Sequence, residues 1–344
     1  MSSSAQYLNP SEAARRLGVS TKALRLYEQR GLVAPVRTAA GWRAYGPDQM
    51  ARAGEIAALR ALGLSLAQVA RVLKGETQGL EPALAAHQAS LEGQIRQLIG
   101  AIEKVRGIRS GLAQGQPPAA AELARLVDPA RELSVAFDLP WPWGGERFEL
   151  RGVKALTYIV GPLGCGKTRL ARALAETLPG AVFLGLERLE NGAAAAAAMA
   201  GDPQLKARVD RVLAWLAEDG AQTSEALVAL LAALEGEGAA AVVIDMVEQG
   251  LDEATQEALI AWLRRRGPSA RPLFLMTRSC AVLDLAAVGP DEAILFCPAN
   301  HSVPMRVAPY PGAPGYEAVA TCLAPPDVRA RTEGIIAMRP PRVA

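Results

Sequence analysis

The eight residues from Gly161 to Thr168 constrain the fold of this chain more than any other stretch. They read G-P-L-G-C-G-K-T and fit the spacing G-x-x-x-x-G-K-[ST]. An apolar run over 155–160 predicts a buried strand before them, and residues 169–178 predict a helix after them. Glycines between a strand and a helix N-terminus let backbone N–H groups point at phosphate oxygens. The stretch therefore predicts a phosphate-binding loop (P-loop) in an α/β domain with a mostly parallel sheet.

The motif also assigns roles to single residues of the loop. Lys167 is expected to contact the β- and γ-phosphates of ATP or a related nucleotide, and the Thr168 hydroxyl to bind Mg²⁺. Cys165 allows a redox hypothesis, because a thiol at a helix N-terminus has a lowered pKa; the alternative is an ordinary loop residue. All eight residues are predicted to line the phosphate site: Gly161, Pro162, Leu163, Gly164, Cys165, Gly166, Lys167 and Thr168.

Strand and helix patterns alternate after the loop, and the P-loop domain is expected to span 125–344. Asp245 ends an apolar run and is predicted to hold Mg²⁺ through water, as a partner of Lys167 in any hydrolysis. The alternative is a structural Asp at a strand end. The pattern predicts strands over 181–186, 241–245, 272–277 and 293–296, an edge strand over 303–307, and helices from 193, over 208–218 and over 224–234.

Length and composition indicate a protein of two or three domains, since the chain has 344 residues. No apolar run is long enough to cross a bilayer and the N-terminus lacks a signal pattern, so a cytoplasmic protein with no membrane partner is expected. The cysteines lie far apart, which argues against a disulfide framework or a cysteine metal site: Cys165, Cys280, Cys297 and Cys322.

The charge is distributed unevenly along the chain. Residues 1–75 contain 11 basic and 4 acidic side chains, a net charge of +7. Because the whole chain has a net charge of +2, the remainder carries −5. A basic head on a mildly acidic body predicts that the head binds nucleic acid. The alternative is a solvated basic face.

Two short helices joined by a tight turn are predicted within this basic region. The first stops at Gly18, and the second begins at Ser20 or Thr21 and ends before Gly31. Such a pair is a helix-turn-helix, whose second helix presents its N-terminal residues to base edges in the major groove. A hairpin or wing and two further helices are predicted over 32–45, 48–62 and 65–73.

Four short motifs in this region resemble the MerR family of transcription regulators. The family has an aromatic residue where Leu26 stands and usually Tyr where Trp42 stands, so the match has two mild departures. The resemblance implies an all-α-rich, winged helix-turn-helix domain over 1–75 that binds double-stranded promoter DNA and works with RNA polymerase. The motifs are Arg25-Leu26-Tyr27-Glu28, Arg30-Gly31-Leu32, Gly41-Trp42-Arg43-x-Tyr45 and Leu62-Gly63-Leu64-Ser65-Leu66.

The same resemblance implies which residues meet DNA. It assigns one group to the major groove and a second group to the neighbourhood of the DNA backbone. Two of the second group, Tyr27 and Tyr45, are equally compatible with a hydrophobic core. The groove residues are Ser20, Thr21, Lys22 and Arg25, and the backbone residues are Tyr27, Arg37, Arg43 and Tyr45.

A long helix is predicted to follow the basic region. Leu84, Leu91, Leu98, Val105 and Leu112 recur every seven residues, with Ile95 and Ile102 between them. This pattern is typical of a coiled coil, and it predicts a dimerisation helix over 76–114 that pairs two chains through 80–113. The MerR resemblance implies the same homodimer. The alternative is an amphipathic helix packed on its own domain, and 115–124 is predicted to be a linker.

The P-loop domain resembles ABC-type ATPase domains, with Gln249-Gly250-Leu251-Asp252 in place of their D-loop. Three departures argue against fast hydrolysis. Met246 stands where the family has its catalytic Glu, Arg278 stands where it has its switch His, and residues 219–225 are at best a degenerate signature. Glu248 is a doubtful substitute for the missing Glu. Aromatic residues that could stack on adenine, or lie in the core, are Phe137, Trp141 and Trp143.

Together these features predict a multidomain, dimeric DNA-binding transcription regulator whose P-loop domain binds ATP with Mg²⁺ and modulates promoter binding. The alternative is an ABC-like, DNA-dependent ATPase that uses the winged helix as a DNA anchor. A third hypothesis is a small-molecule kinase fused to a DNA-binding head. The missing Glu, His and signature count against the ATPase, and the Gly-Leu-Asp stretch counts against the kinase.

Overall fold

The computed structural model describes residues 7–38, 40–77, 80–118, 123, 134–190, 192–267 and 270–330. The chain forms two compact units. The first, here called the head, comprises Met1–Glu92 together with Ala214–Gly220. The second, here called the body, comprises Gly93–Leu213 and Ala221–Ala344. Most of the predicted linker over 115–124 lies outside the described residues.

The head contains the predicted helix-turn-helix and wing, which confirms that part of the sequence interpretation. Local capping explains where its helices begin. The Asn9 side chain accepts a hydrogen bond from the Glu12 N–H, and the Ser20 and Ser65 side chains cap the next helices in the same way. The elements are α1 (Pro10–Leu17), α2 (Thr21–Gln29), β1 (Val36–Arg37), β2 (Arg43–Ala44), α3 (Pro47–Ala61) and α4 (Leu66–Val72).

A single long helix, α5 (Leu80–Ala113), follows α4, as the heptad pattern predicts. Its apolar stripe is exposed on the single chain. Among the described residues, no helix combines the length and the apolar character needed to span a membrane.

The body is built on a six-stranded sheet in the order β10-β9-β5-β8-β7-β6. Five strands are parallel and β10 runs antiparallel at one edge, so the predicted mostly parallel sheet with an edge strand is confirmed. All residues of β5 are buried because strands flank it on both sides. The strands are β5 (Leu156–Val160), β6 (Ala181–Leu184), β7 (Ala241–Ile244), β8 (Leu273–Met276), β9 (Glu292–Phe296) and β10 (Met305–Val307).

Helices pack on this sheet, and the P-loop leads directly into the first of them. An antiparallel hairpin, β3 (Val135–Asp138) with β4 (Arg147–Leu150), and the helix α10 were not predicted. The helices are α6 (Lys167–Thr177), α7 (Gly192–Gly201), α8 (Pro203–Glu218), α9 (Glu225–Glu235), α10 (Glu253–Arg264), α11 (Tyr316–Cys322) and α12 (Pro326–Ala330).

Candidate functional site

The residues predicted for the major groove lie at the start of α2. Arg25 is exposed, and Thr21 and Lys22 are half-buried. Ser20 is buried, and its Oγ accepts a hydrogen bond from the Ala23 N–H at 3.0 Å. The Ser20 hydroxyl therefore caps the helix, and the side chains exposed along the helix belong to its later residues.

Tyr27 and Tyr45 lie in the hydrophobic core of the head. The Tyr45 hydroxyl donates a hydrogen bond to Glu28, and the Arg43 Nε lies 3.0 Å from the other Glu28 carboxylate oxygen. Burial raises the pKa of Tyr27, as expected for a phenol kept away from water. The structure thus places both tyrosines in the core rather than on an open surface, and Arg43 is half-buried beside Glu28.

The wing carries an exposed aromatic residue that the sequence interpretation did not assign to a site. Trp42 is 74% exposed at the tip between β1 and β2. The turn is held by the Trp42 N–H, which donates to the Thr38 hydroxyl at 3.1 Å, and by Arg37, whose Nη1 donates to the Gly41 carbonyl at 2.9 Å. An apolar ring between Gly41 and Arg43 in a basic loop is the signal that could have identified it.

A carboxylate far along the chain completes the head. Asp219 is 5% exposed, and its two oxygens face Arg60 at 3.0 and 2.8 Å. One of these oxygens also accepts the Leu66 N–H at 2.6 Å, so it caps α4. The Asp219 carbonyl accepts a hydrogen bond from Arg30 at 2.8 Å, and Trp215 donates to the Gly63 carbonyl at 3.2 Å. This segment ties α2, α3 and α4 together.

The P-loop in the body has the close packing that its glycines allow. A Cβ atom on Gly161 would lie 2.4 Å from the Cys297 carbonyl, and one on Gly166 would lie 2.7 Å from the Trp143 ring. Gly166 also has a φ of +97°, which favours glycine. Lys167 is 8% exposed, and its ammonium donates to the carbonyls of Gly161 and Pro162 at 2.8 and 2.7 Å.

The two residues predicted to bind Mg²⁺ lie side by side. The Thr168 Oγ1 donates to an Asp245 carboxylate oxygen at 3.2 Å. Burial raises the pKa of Asp245, and the hydrogen bond from Thr168 and the charge of Arg188 oppose that rise. Arg188 donates to the carbonyls of Asp245 and Met246 at 2.8 and 2.7 Å, which fixes the turn after β7. Met246 has a φ of +46°, an uncommon value for a residue with a side chain.

These residues border a cleft of about 880 Å³. Glu248 also lines the cleft but is almost fully buried, and it forms an ion pair with Arg329 of α12. Its Oε1 also accepts the Arg278 backbone N–H at 2.9 Å, whereas its Oε2 is buried without a hydrogen-bond partner. The structure therefore brings Lys167, Asp245 and Glu248 to one cleft, which Arg278 and Arg329 also line.

Only one of the three predicted stacking aromatics lines the cleft. Trp141 is 64% exposed, and the Arg169 guanidinium lies 4.8 Å from the centre of its ring. Trp143 is buried under the P-loop and donates from its indole nitrogen to the Ser302 carbonyl at 3.1 Å. Phe137 packs on Phe148 with ring centres 5.4 Å apart. Asp252, in the D-loop-like stretch, caps α10 by accepting the Thr255 N–H at 2.7 Å.

A comparison with solved structures gives little for the body. The chain is 15% identical to a bacterial Atm1-family ABC exporter with ATP bound, covering 84% of this chain and 60% of that one, with a TM-score of 0.33. A TM-score this low carries no argument about fold or function. The ABC-type likeness of the body stays a prediction.

Comparisons with known sequences identify the family through the head. Residues 8–76 match the protein family described as "MerR HTH family regulatory protein". A "Probable heavy metal-dependent transcriptional regulator" of Haemophilus influenzae is 38% identical over 106 residues, which cover 29% of this chain and 83% of that protein. The regulator HmrR of Sinorhizobium medicae is 42% identical over 67 residues, which cover 19% of this chain and 46% of HmrR. The chain belongs to the MerR family of helix-turn-helix regulatory proteins.

Proposed function

We propose that this MerR family member is a dimeric transcription regulator that binds promoter DNA and whose body binds ATP with Mg²⁺ to modulate that binding. The observation that carries the nucleotide part is the convergence of Lys167, Thr168 and Asp245 at one cleft beside the P-loop. The family membership and the basic head carry the DNA part.

The residues of the loop fit a nucleoside triphosphate with its metal ion. The close packing at Gly161 and Gly166 leaves no room for side chains at these two positions. Glycine there allows the tight backbone curvature with which successive N–H groups surround an anion. Lys167 would hold the phosphates, and Thr168 and Asp245 would hold Mg²⁺. A bound Mg²⁺ would add a divalent positive charge beside the buried Asp245 carboxylate.

The position of Glu248 favours binding over rapid turnover. Orienting a water for attack on phosphate needs a base that is free to accept its proton. Met246 follows Asp245 directly, and Glu248, one of the carboxylates that line the cleft and the predicted substitute for the missing Glu, forms an ion pair with Arg329. The ATPase alternative requires this pair to open, so we place nucleotide sensing ahead of hydrolysis.

Replacing Arg329 with alanine is expected to weaken binding of ATP·Mg²⁺ about tenfold, or about 1.4 kcal/mol. The change leaves the buried Glu248 carboxylate without its ion-pair partner in the cleft where the phosphates are proposed to bind. The carboxylate and the phosphates are both negatively charged and repel each other strongly where little water screens them. Isothermal titration calorimetry with the full chain measures the change.

Two further variants test this reason for the effect. Adding Glu248→Gln to Arg329→Ala removes the unpaired charge and is expected to restore most of the affinity. Arg147→Ala, which removes an exposed guanidinium on β4 paired with Asp138 at 3.2 Å, is the matched control and is expected to bind as the wild type does. Unchanged or tighter binding by Arg329→Ala would contradict the proposed position of the phosphates.

The proposed dimer rests on the apolar stripe of α5. Its side chains are between 40% and 63% exposed on the single chain, which is costly for so many large apolar groups in a row. Pairing with the same stripe of a second chain removes them from water, as in a coiled coil. The exposed residues are Leu84, Leu91, Ile95, Leu98, Ile99, Ile102, Val105 and Leu112.

The double variant Leu98→Glu/Ile102→Glu is expected to be monomeric and to bind promoter DNA about 100-fold more weakly. Carboxylates in the seam oppose pairing, and a monomer loses the gain from binding two half-sites together. Sedimentation equilibrium and a DNA titration at one fixed salt concentration measure the two effects. Lys104→Glu, which adds the same side chain outside the stripe, is expected to remain dimeric. A double variant that stays dimeric would show that another surface joins the chains.

A further inference from the structure

Two buried cysteines meet beside the P-loop, and no role described so far uses the second of them. Cys165 is 1% exposed within the loop, and Cys297 is 0% exposed directly after β9. The Cys297 N–H donates to the Val160 carbonyl at 2.8 Å, which fixes it next to the residue that precedes the loop. A Cβ atom built on Gly161 would lie 2.7 Å from the Cys165 Sγ and 3.2 Å from the Cys297 Cβ. Both side chains therefore converge on the space that Gly161 leaves open.

The two thiols also differ in character. The Lys167 ammonium lies 3.6 Å from the Cys165 sulfur. Hydrogen bonding with Cys297 and the charge of Lys167 lower the pKa of Cys165 to about 6, although burial opposes the change. The same hydrogen bond, with burial, raises the pKa of Cys297 well above its ordinary value. The surroundings of the pair therefore favour the thiolate at Cys165 and the thiol at Cys297.

We propose that Cys165 and Cys297 form a redox pair that a peroxide converts into a disulfide, and that this disulfide weakens phosphate binding by the loop. The second part rests on the proposed nucleotide binding, whereas the first does not. The pair supplies a nucleophile and a resolving thiol within one contact. Gly164 and Gly166, on either side of Cys165, line the cleft, so the segment that carries the buried sulfur borders the cleft, and we expect hydrogen peroxide to reach the sulfur from there.

The chemistry balances with hydrogen peroxide as the oxidant. The Cys165 thiolate attacks one peroxide oxygen, the O–O bond breaks, and the hydroxide that leaves takes up from solvent a proton equivalent to the one that Cys165 released on ionising, to become water. The Cys165 sulfenic acid is then attacked by the Cys297 sulfur, which gives its proton to the departing hydroxide. One disulfide and two molecules of water result, and the two sulfur atoms supply the two electrons that reduce the peroxide.

The disulfide is expected to disturb the loop because of its short bond. It joins two sulfur atoms at about 2.05 Å, which is shorter than any hydrogen-bonded separation, so we expect Cys165 to be drawn toward the end of β9. Gly161 already packs so tightly on the Cys297 carbonyl that a methyl group would not fit between them. The loop therefore cannot follow as a rigid body, and its N–H groups lose their common direction. The sulfur beside Lys167 also becomes part of a neutral bond.

The test treats the full chain with hydrogen peroxide, maps its disulfides by peptide mass spectrometry, and measures ATP·Mg²⁺ binding before and after treatment. We expect a Cys165–Cys297 peptide pair and an affinity about tenfold weaker, within the usual range of coupling between sites. Dithiothreitol should restore both. In the Cys297→Ser variant, which lacks the resolving thiol, the mass of the Cys165 peptide should increase by that of oxygen, and no disulfide should form there. The Cys280→Ser variant, which changes a half-buried thiol, should behave as the wild type does.

Two results would overturn the proposal. One is the absence of the Cys165–Cys297 pair, or its replacement by pairs with Cys280 or Cys322. The other is a disulfide at the expected place with ATP affinity unchanged. If the reduced protein fails to bind ATP at all, the proposed nucleotide function is wrong, and the peptide map alone still decides whether the redox pair exists.

Discussion

Replacing Asp219 with alanine is expected to destabilise the head by about 3–5 kcal/mol. The carboxylate is buried, makes two contacts with Arg60 and caps α4 through the Leu66 N–H. Its removal leaves a guanidinium that is only 17% exposed without its counter-charge, and an amide without its acceptor. Hydrogen exchange of the full chain measures the free energy of opening of the head, and the Leu66 amide reports the cap directly.

The helix that ends directly before Asp219 offers a control for this variant. Asp210 lies on α8 (Pro203–Glu218), is 54% exposed, and forms its ion pair with Lys206 in solvent. Asp210→Ala is therefore expected to cost less than 1 kcal/mol, as exposed pairs usually do. If Asp219→Ala were as mild as Asp210→Ala, residues 214–220 would not be an integral part of the head.

Replacing Lys167 with alanine is expected to weaken ATP·Mg²⁺ binding by about 100-fold or more, close to 3 kcal/mol. The ammonium is held at the loop by two backbone carbonyls, those of Gly161 and Pro162, and it is the cation within the loop itself. Phosphate oxygens would take the place of these weaker partners. The variant should keep its fold, because alanine is compatible with the first turn of α6.

Lys154→Ala is the control for this change, since Lys154 is a half-buried lysine of the same unit outside the cleft-lining residues. It should bind ATP as the wild type does. Titration calorimetry on both variants gives the comparison. Equal affinities for Lys167→Ala and wild type would remove the P-loop from the account of nucleotide binding.

Much of the fold follows from local sequence signals. The caps at Asn9, Ser20 and Ser65 act within three residues, and the buried strands around Asp245 are continuous apolar runs. The hairpin formed by β3 and β4 carries no such signal, because its residues mix polar and apolar types and its two strands are only four residues long. The helix α10 begins directly after the D-loop-like stretch, and Asp252, the last residue of that stretch, is its N-cap.

The residues of the candidate site likewise divide into those that a local sequence signal predicts and those that it does not. The loop motif predicts Lys167 and Thr168 because those residues act within one turn of each other. Neither the Arg329 partner of Glu248 nor the Cys297 partner of Cys165 has a local signal, since each lies far along the chain and only the folded sheet brings the pair together. Asp219 is a further case: the sequence interpretation read it as part of a degenerate nucleotide-binding signature, whereas it lies buried in the head.

The central claim is that a nucleotide bound to the body changes the affinity of the head for DNA. A ligand shifts an equilibrium only by its differential affinity for the two states, and by linkage DNA must then change the affinity for ATP by the same factor. The direct test is a titration of the DNA upstream of the protein's own gene at fixed salt, with and without ATP·Mg²⁺, with phosphate release recorded in the same samples. We predict at least a fivefold change in affinity, or a changed footprint, for the wild type, no response from Lys167→Ala, and negligible turnover. If saturating ATP changes neither the affinity nor the footprint of the wild type on DNA, and phosphate release is fast, the hypothesis of a nucleotide sensor is contradicted. The body would then be an ATPase that the head anchors to DNA.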